Sequence, residues 1–379
     1  MKTGSPRWRL CLLAGLAACA AHPTSRPPVP ALPREHLALS VYLIGDAGAP
    51  APGGEPVLQA LSGELRAAPA ERVVVFLGDN IYPRGLPEPH HRDRPEAERR
   101  LAAQVEVVTQ ARATGYFVLG NHDWRGANGW EAARRQERYI DSAGGGLVSL
   151  KPGGGCPGPS YVDIGRRLRL VMLDTQWWLR NAPNPIGSAS SCPTDSEPEI
   201  VDSLRAAIQD AGERLVLVAA HHPLTTGGVH GGHFGWKDHL FPLLVVVPGL
   251  WLPLPLLGSL YPAARQHGIS SQDLPSPAYQ RLIAALSRAF HQRQPALYAS
   301  GHEHNLQVIE GGPARLELVS GTGIYGHSGR AVAVEGTLFA RKASGFARLD
   351  IPSSGRARLA VLEVDATGRS QEVFSTLVE

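Results

Sequence analysis

Five apolar runs, each stopped by a short polar motif, constrain this chain more than any other feature. Residues 39–44 run into Gly45-Asp46-Ala47-Gly48, and residues 73–77 into Gly78-Asp79-Asn80-Ile81-Tyr82. Residues 116–119 run into Gly120-Asn121-His122-Asp123. Residues 215–219 lead to His221-His222-Pro223, and residues 296–299 to Gly301-His302-Glu303-His304. Short apolar runs closed by turn signals read as buried strands. Helical patterns at 55–67, 95–114, 130–140, 199–209 and 277–292 fall among them, so the fold class is α/β. Ligands of open α/β architectures lie beyond the carboxyl ends of the strands, so these five ends can converge. Each motif alone also reads as turn chemistry, Gly-Asp-Asn above all. Together they offer carboxylate, phenol, amide and imidazole donors in greater number than one cation needs. That supply suits two cations sharing a bridge.

Composition narrows the partners. At 379 residues, 43% hydrophobic and 19% charged, the chain can bury a sizeable core. A formal net charge of +3 with no basic run gives no footprint for nucleic acid. Further strands are expected at 168–173, 315–319, 345–351 and 358–364, and 143–160 reads as loose and glycine-rich. No internal repeat is present. The economical organisation is one domain over 36–379 with an insertion at about 236–275.

The N-terminus precedes the fold. Lys2, Arg7 and Arg9 lead a short apolar stretch over 10–18, followed by Leu16-Ala17-Ala18-Cys19. The stretch is too short to span a bilayer, so 1–18 reads as an export signal. Leu-Ala-Ala-Cys resembles the lipobox of bacterial lipoproteins. That resemblance implies a lipid on Cys19 and, with Ala20 next, an outer-membrane site facing the periplasm; cleavage elsewhere as a plain secretory signal is the alternative. Residues 19–35 are proline-rich and read as a semi-rigid tether. Cys156 and Cys192 are the cysteines of the mature body. An even pair in an exported chain reads as a disulfide, with two inert thiols as the alternative.

Residues 240–261 are almost wholly apolar, yet Pro242, Pro248, Pro253 and Pro255 interrupt them. Those prolines argue against one spanning helix. The segment fits short pieces dipping into lipid, folding over the rim of the site, or packing on the domain.

In order, Asp-x-Gly, Gly-Asp-x-x-Tyr, Gly-Asn-His-Asp, Val-x-x-His and Gly-His-x-His resemble the purple acid phosphatases among calcineurin-like metallophosphoesterases. Here they stand as Asp46-Ala47-Gly48, Gly78-Asp79-Asn80-Ile81-Tyr82, Gly120-Asn121-His122-Asp123, Val218-Ala219-Ala220-His221 and Gly301-His302-Glu303-His304. The short, tartrate-resistant type fits the length best. The resemblance implies two packed β-sheets flanked by helices (αββα), with metals at the sandwich edge. Most relatives carry Asp-x-His in the first block; Gly48 replaces that His, and Tyr82 supplies the compensating ligand. A phenol titrates near pH ~10, and hard oxygen donors favour a strongly charged cation.

Carried over, Asp46, Tyr82 and His304 would hold Fe(III), Asp79 would bridge, and Asn121, His221 and His302 would hold Fe(II), Zn or Mn. The implied reaction is hydrolysis of a phosphomonoester, on a small molecule or a peptide, by a metal-activated hydroxide attacking in line. A diester or an anhydride such as pyrophosphate is the alternative substrate, and a membrane-surface scaffold the alternative role. His122 would clamp phosphate or serve the leaving group, with Asp123 orienting and charging its imidazole. Asn80 would point its amide at the phosphate. His230, nine residues after His221 and followed by Gly231, would face substrate, with His233 as a rival. His222 reads as structural or as a support for the ligands. A monomer is expected.

Overall fold

The computed structural model describes residues 29–33, 36–68, 71–124, 129–182, 184–245 and 250–379. The expected export signal and Cys19 lie outside them. The first half alternates strand and helix: β1 (Leu37–Ile44), α1 (Pro56–Ala67), β2 (Glu71–Phe76), α2 (Arg94–Gln110), β3 (Thr114–Phe117), α3 (Gly129–Gly144) and β4 (Val148–Leu150). Then come β5 (Ser160–Ile164), β6 (Leu168–Met172), α4 (Gln176–Leu179), α5 (Glu197–Gln209) and β7 (Leu215–Ala219). Three helices follow, α6 (Trp236–Leu240), α7 (Leu260–Gln266) and α8 (Pro277–Phe290). The chain closes with β8 (Leu297–Ser300), β9 (Leu306–Glu310), β10 (Leu316–Ser320), β11 (Thr337–Arg341), β12 (Gly345–Pro352), β13 (Ala357–Val364) and β14 (Ser370–Val378).

Two seven-stranded sheets result, ordered β14-β13-β12-β1-β2-β3-β4 and β11-β9-β10-β8-β7-β6-β5. β1, β2, β3 and β4 pair in parallel, as do β6, β7, β8 and β10. The run Val73-Val74-Val75-Phe76 shows why these strands read as continuous apolar stretches. Val73 and Val75 face the other sheet, among Val41, Leu217 and Leu318. Val74 and Phe76 point outward and pack with Leu61, Leu101 and Val105 of the helices. On the far side Leu204, Tyr279 and Leu286 cover the second sheet. Both faces of each sheet are thereby dry, and each fully buried Leu, Val or Phe contributes about 1.5–3 kcal/mol. The four layers are the αββα arrangement expected.

Local signals set the helix ends. The Glu55 carboxylate accepts from the Val57 amide with Pro56 opening α1. Ser276 does the same for α8, accepting from the Tyr279 amide with Pro277 next. The expected helix over 95–114 stops sooner, at Gln110. Arg112 turns left-handed (φ 51°), and Thr114 is already paired beside Val73 as β3. The stretch 143–160 contains β4, added to the sheet edge by three register partners of β3. β5, β9, β11 and β14 escaped the sequence reading. β9 is buried along most of its length and β14 carries an irregular burial pattern, so neither alternates cleanly.

The expected tether is docked at its end. The Arg358 guanidinium, itself buried, donates to the Val29 carbonyl, and the Val29 amide donates to Ser375 Oγ. Cys156 and Cys192 are joined in a disulfide, Cα atoms 5.4 Å apart. No helix among the described residues is long and apolar enough to cross a membrane. The apolar insertion is broken into α6, a short 3₁₀ turn at Pro242–Val245, another at Leu257–Ser259, and α7. It leaves Trp236, Trp251 and Leu256 exposed, at 67%, 57% and 88%.

Candidate metal centre

Parallel pairing puts the carboxyl ends of β1, β2 and β3 on the same edge of the sandwich as those of β7 and β8. Asp46, Asp79 and Asn121 descend from the first sheet, His221 and His302 from the second. Each strand stops abruptly. Asp46, Asp79 and His302 all take the left-handed backbone conformation, at φ 57°, 55° and 68°. Non-glycine residues seldom adopt it, and such strain concentrates at functional sites. Gly120 and Gly301 let the turns close: a Cβ there would lie 2.3 Å from Asp79 Oδ1 and 2.5 Å from Asp46 Oδ2.

The donors gather into two triangles. In one, Tyr82 Oη lies 2.9 Å from Asp46 Oδ1 and 3.1 Å from His304 Nε2, and His304 Nε2 lies 3.3 Å from Asp46 Oδ1. In the other, Asn121 Oδ1 lies 3.0 Å from His221 Nε2 and 3.1 Å from His302 Nδ1. Asp79 lies alongside, its Oδ1 3.5 Å from His221 Nε2. Metal–ligand bonds of about 2.1 Å set neighbouring donors roughly 3.0 Å apart in an octahedron. The three edges of the first triangle and the two edges at Asn121 Oδ1 have about that length.

Tautomers agree with ligation. A carbonyl oxygen only accepts, so a ring nitrogen bonded to one carries the proton. His221 Nδ1 bonds Leu77 O at 2.8 Å, and His302 Nε2 bonds Gln272 O at 3.0 Å. The inward nitrogens, His221 Nε2 and His302 Nδ1, therefore present lone pairs. Electrostatics favour cations as well. Burial, with the Asp46 and Asp79 carboxylates close by, pushes the Tyr82 phenol well above its ordinary range. A cation in the site would reverse that shift. Burial and the neighbouring imidazoles press His302 well below its ordinary value, a neutral state suited to ligation. The residues fit two cations.

A family model for calcineurin-like phosphoesterases matches residues 39–306. The chain belongs to the calcineurin-like phosphoesterase family. The family uses a binuclear metal centre, and the residues above are the candidates to hold it here. Two solved structures share the fold. One is the protein described as GAP50, the anchor in the inner membrane complex of Plasmodium, 14% identical with a TM-score of 0.54, the match covering 90% of this chain and 89% of that one. The other is a purple acid phosphatase from yellow lupin seeds, 14% identical with a TM-score of 0.51, covering 91% of this chain and 54% of that one. The chain thus spans about half of the lupin enzyme. No curated protein sequence matches it.

Two expected roles change in the structure. Asp123 does not orient His122. Its carboxylate turns inward and accepts from the backbone amides of Asn80, Ile81 and Gly120 and from Gln136 Nε2. It ties the β2 and β3 turns together beneath the metals. Burial and then the Asp79 charge raise its carboxyl to about 7. The Asn80 amide is equally inward. Its Nδ2 donates to Val118 O and Asp123 Oδ2, 2.8 and 3.1 Å away, so it is not aimed at substrate. Both are buried; the Asp123 carboxylate is fully partnered, whereas Asn80 Oδ1 has no hydrogen-bond partner among the described residues.

The imidazole of His122 stays at the rim. Its Nδ1 bonds Pro83 O at 2.9 Å, and its Nε2 lies 3.9 Å from Asp79 Oδ2. His230 sits against the second triangle, its ring centroid 4.0 Å from that of His302. His233 lies instead in the field of Glu303 and Arg330. His222 is a support: Nδ1 bonds Thr175 Oγ1 at 2.8 Å and Nε2 bonds Gln272 Oε1 at 3.0 Å.

Sequence reading missed part of the rim. His327 lies with its ring centroid 4.4 Å from that of His304 and 6.3 Å from that of Tyr82. Gly326-His327 repeats the Gly-His form of Gly301-His302, a signal that was available. Gln272 and Asp273 come from the insertion, where only the polar run Ser270-Ser271-Gln272-Asp273 beside apolar sequence marks them.

Proposed function

We propose that the chain is a binuclear-metal phosphomonoesterase of the purple acid phosphatase kind. The observation that carries this reading is the Asp46–Tyr82–His304 triangle beside the Asn121–His221–His302 triangle. In the first triangle a carboxylate and a phenol, with one imidazole, form the harder set suited to a trivalent cation, and in the second an amide with two imidazoles suits a divalent one. We assign Fe(III) to the first triangle, Fe(II), Zn or Mn to the second, and the bridge to Asp79. When bound, the two cations supply acidified water and positive charge for the phosphoryl oxygens.

The chain's own groups do the rest. Leu77 and Gln272 carbonyls lock two imidazoles in the ligating tautomer. Asp123 fixes the turns that carry Asp79 and Asn121. Pro83 O accepts from His122 Nδ1, so only with a second proton, on Nε2, would this imidazole donate to a phosphoryl oxygen or to the leaving group. His230 lies on the opposite side to receive the phosphate. The partly exposed imidazoles of His122 and His230 suit a terminal phosphate, and monoesters are the substrates proposed.

In the same reading the domain spans 36–379, the protein is exported, and Cys19 carries the lipid that holds it at the outer membrane, facing the periplasm. The exposed Trp236 and Trp251, with the Lys237 ammonium 5.7 Å from each ring centroid, support contact of the insertion with a lipid surface.

The test is a visible spectrum with metal analysis of wild type beside Tyr82→Phe, followed by phosphomonoester assays. The expected result is about two metals per chain, a broad charge-transfer band lost in Tyr82→Phe, and turnover of an aryl phosphate. A colourless protein holding two divalent ions would remove the purple-type assignment. Fewer than one tightly held metal with no turnover would overturn the enzyme reading.

A further inference from the structure

The insertion does more than cover the domain, because it sends a charged cluster into the rim of the site. His230 Nδ1 lies 2.8 Å from Asp273 Oδ1 and 2.9 Å from Arg265 Nη2. Arg265 Nε donates to Asp273 Oδ2 at 2.8 Å, and Arg265 Nη2 also reaches Asp273 Oδ1. Arg265 stands on α7, where its Nη1 donates to the Tyr261 hydroxyl at 3.1 Å. The Asp273 side chain is only 1% exposed and that of Arg265 14%, so the pair is shielded from solvent. Breaking a shielded pair by removing one partner has a large effect.

The backbone around His230 is held as firmly. The Glu303 carboxylate, between the two ligands His302 and His304, accepts from the His230 amide at 2.8 Å and from the Gly231 amide at 3.3 Å. The Leu274 amide donates to the His230 carbonyl at 2.8 Å. The imidazole is therefore clamped at Nδ1 and at its own backbone. Nε2 is the ring nitrogen without a partner among the described residues; it carries a donor proton when Nδ1 accepts from Arg265, or when both nitrogens are protonated and Nδ1 donates to Asp273.

We infer that Asp273, with Arg265 as its counter-charge, is a positioning residue that holds His230 Nε2 toward a phosphoryl oxygen bound beside His302. The inference rests on the proposed function and adds to it that the insertion sets substrate affinity. Its ground is that Asp273 touches the imidazole and none of the metal donors, while the next residue back, Gln272, touches His302. The insertion thus braces one metal ligand with a carbonyl and one substrate-facing ring with a carboxylate.

The experiment is a cycle on the full, metal-loaded chain: Asp273→Asn, His230→Ala and the double variant, each titrated calorimetrically with inorganic phosphate and assayed with an aryl phosphate. Each single variant is expected to weaken phosphate binding and raise KM about tenfold, the loss of a charge-assisted hydrogen bond. kcat changes little, and metal content equals wild type. The double variant is expected to be no weaker than His230→Ala alone, since one interaction is removed twice. Asp273→Glu is expected to recover part of the loss.

Because Asp273→Asn leaves the Arg265 charge unpaired, the pair Asp273→Asn with Arg265→Gln removes both charges and must show the same loss in a chain that melts cooperatively. Unchanged phosphate affinity in that pair, or losses that multiply in the His230 cycle, would overturn the inference. Failure of the proposed function reads differently: wild type would bind phosphate with the coupling intact yet turn over no monoester.

Discussion

The floor of the site and its wall are built on opposite principles. The floor consists of strand ends, each contributing one or two side chains, on turns strained into the left-handed region at Asp46, Asp79 and His302. Asp46, Asp79, His221 and His302 are buried, Tyr82, Asn121 and His304 half-buried, and backbone carbonyls fix the tautomers of His221 and His302. The wall is assembled from three remote places, His230, Arg265 with Asp273, and His327, on short helices and loops. Its outer side exposes large apolar groups. A floor set by sheet register tolerates little change and decides whether metals bind. A wall set by side-chain pairing can vary and decides what else the site holds.

Substitutions in the floor, at its boundary and in the wall should differ in size of effect. Asp79→Asn strikes the floor and should have the largest effect: metal content falls below two per chain and turnover drops by ~10³-fold or more, read by metal analysis and steady-state kinetics. Retention of two metals with near-normal turnover would mean that Asp79 is not the bridge. His122→Ala lies at the boundary and should lower kcat by about 10²-fold, in the range of a lost acid–base or phosphate contact, with both metals kept. Metal loss in that variant would move His122 into the floor. The wall comes next, through the tenfold effect on phosphate affinity expected of Asp273→Asn.

The smallest effect on activity should come from the scaffold. Glu317 lies on β10, beside the strand that delivers His302, and burial raises its carboxyl to about 7 from an ordinary 4.5. Between those values the folded chain holds a proton that the unfolded chain has lost. Its contribution to stability is therefore full below about pH 4.5, declines as pH rises to about 7, and is level above. Glu317→Gln should flatten that decline, raising Tm at pH 8 relative to wild type and leaving turnover unchanged. A parallel pH dependence of Tm in the two proteins would show that the group is not the source.

How far residues alone could be read differs across the same divide. Asp46, Asp79, Tyr82, Asn121, His221, His302 and His304 were legible because a strand end is a local event. An apolar run stops, a glycine turns the chain, and a donor follows. The roles given to Asp123 and Asn80 were not legible, because a side chain next to a ligand can face the metals or the turn beneath them. Packing sends both beneath: Asp123 accepts from the amides of the β2 and β3 turns, and the Asn80 amide donates to Val118 O and Asp123. Asp273 stood out only as one member of a polar run, since its meaning depends on His230, 43 positions away.

By itself the sequence determined the strand–helix alternation, the five polar strand ends, their donor chemistry, and the interruption of the apolar insertion by prolines. These follow from hydrophobic periodicity and turn chemistry, which act over a few residues. Sheet register and side-chain pairing add the rest: six donors close into two triangles with Asp79 beside them, β5, β9, β11 and β14 complete the sheets, and the insertion reaches back to brace His302 and His230. Those outcomes depend on sheet register and on pairing between distant segments, and the physical reason is that a contact's energy is set by position in space, which no local pattern encodes.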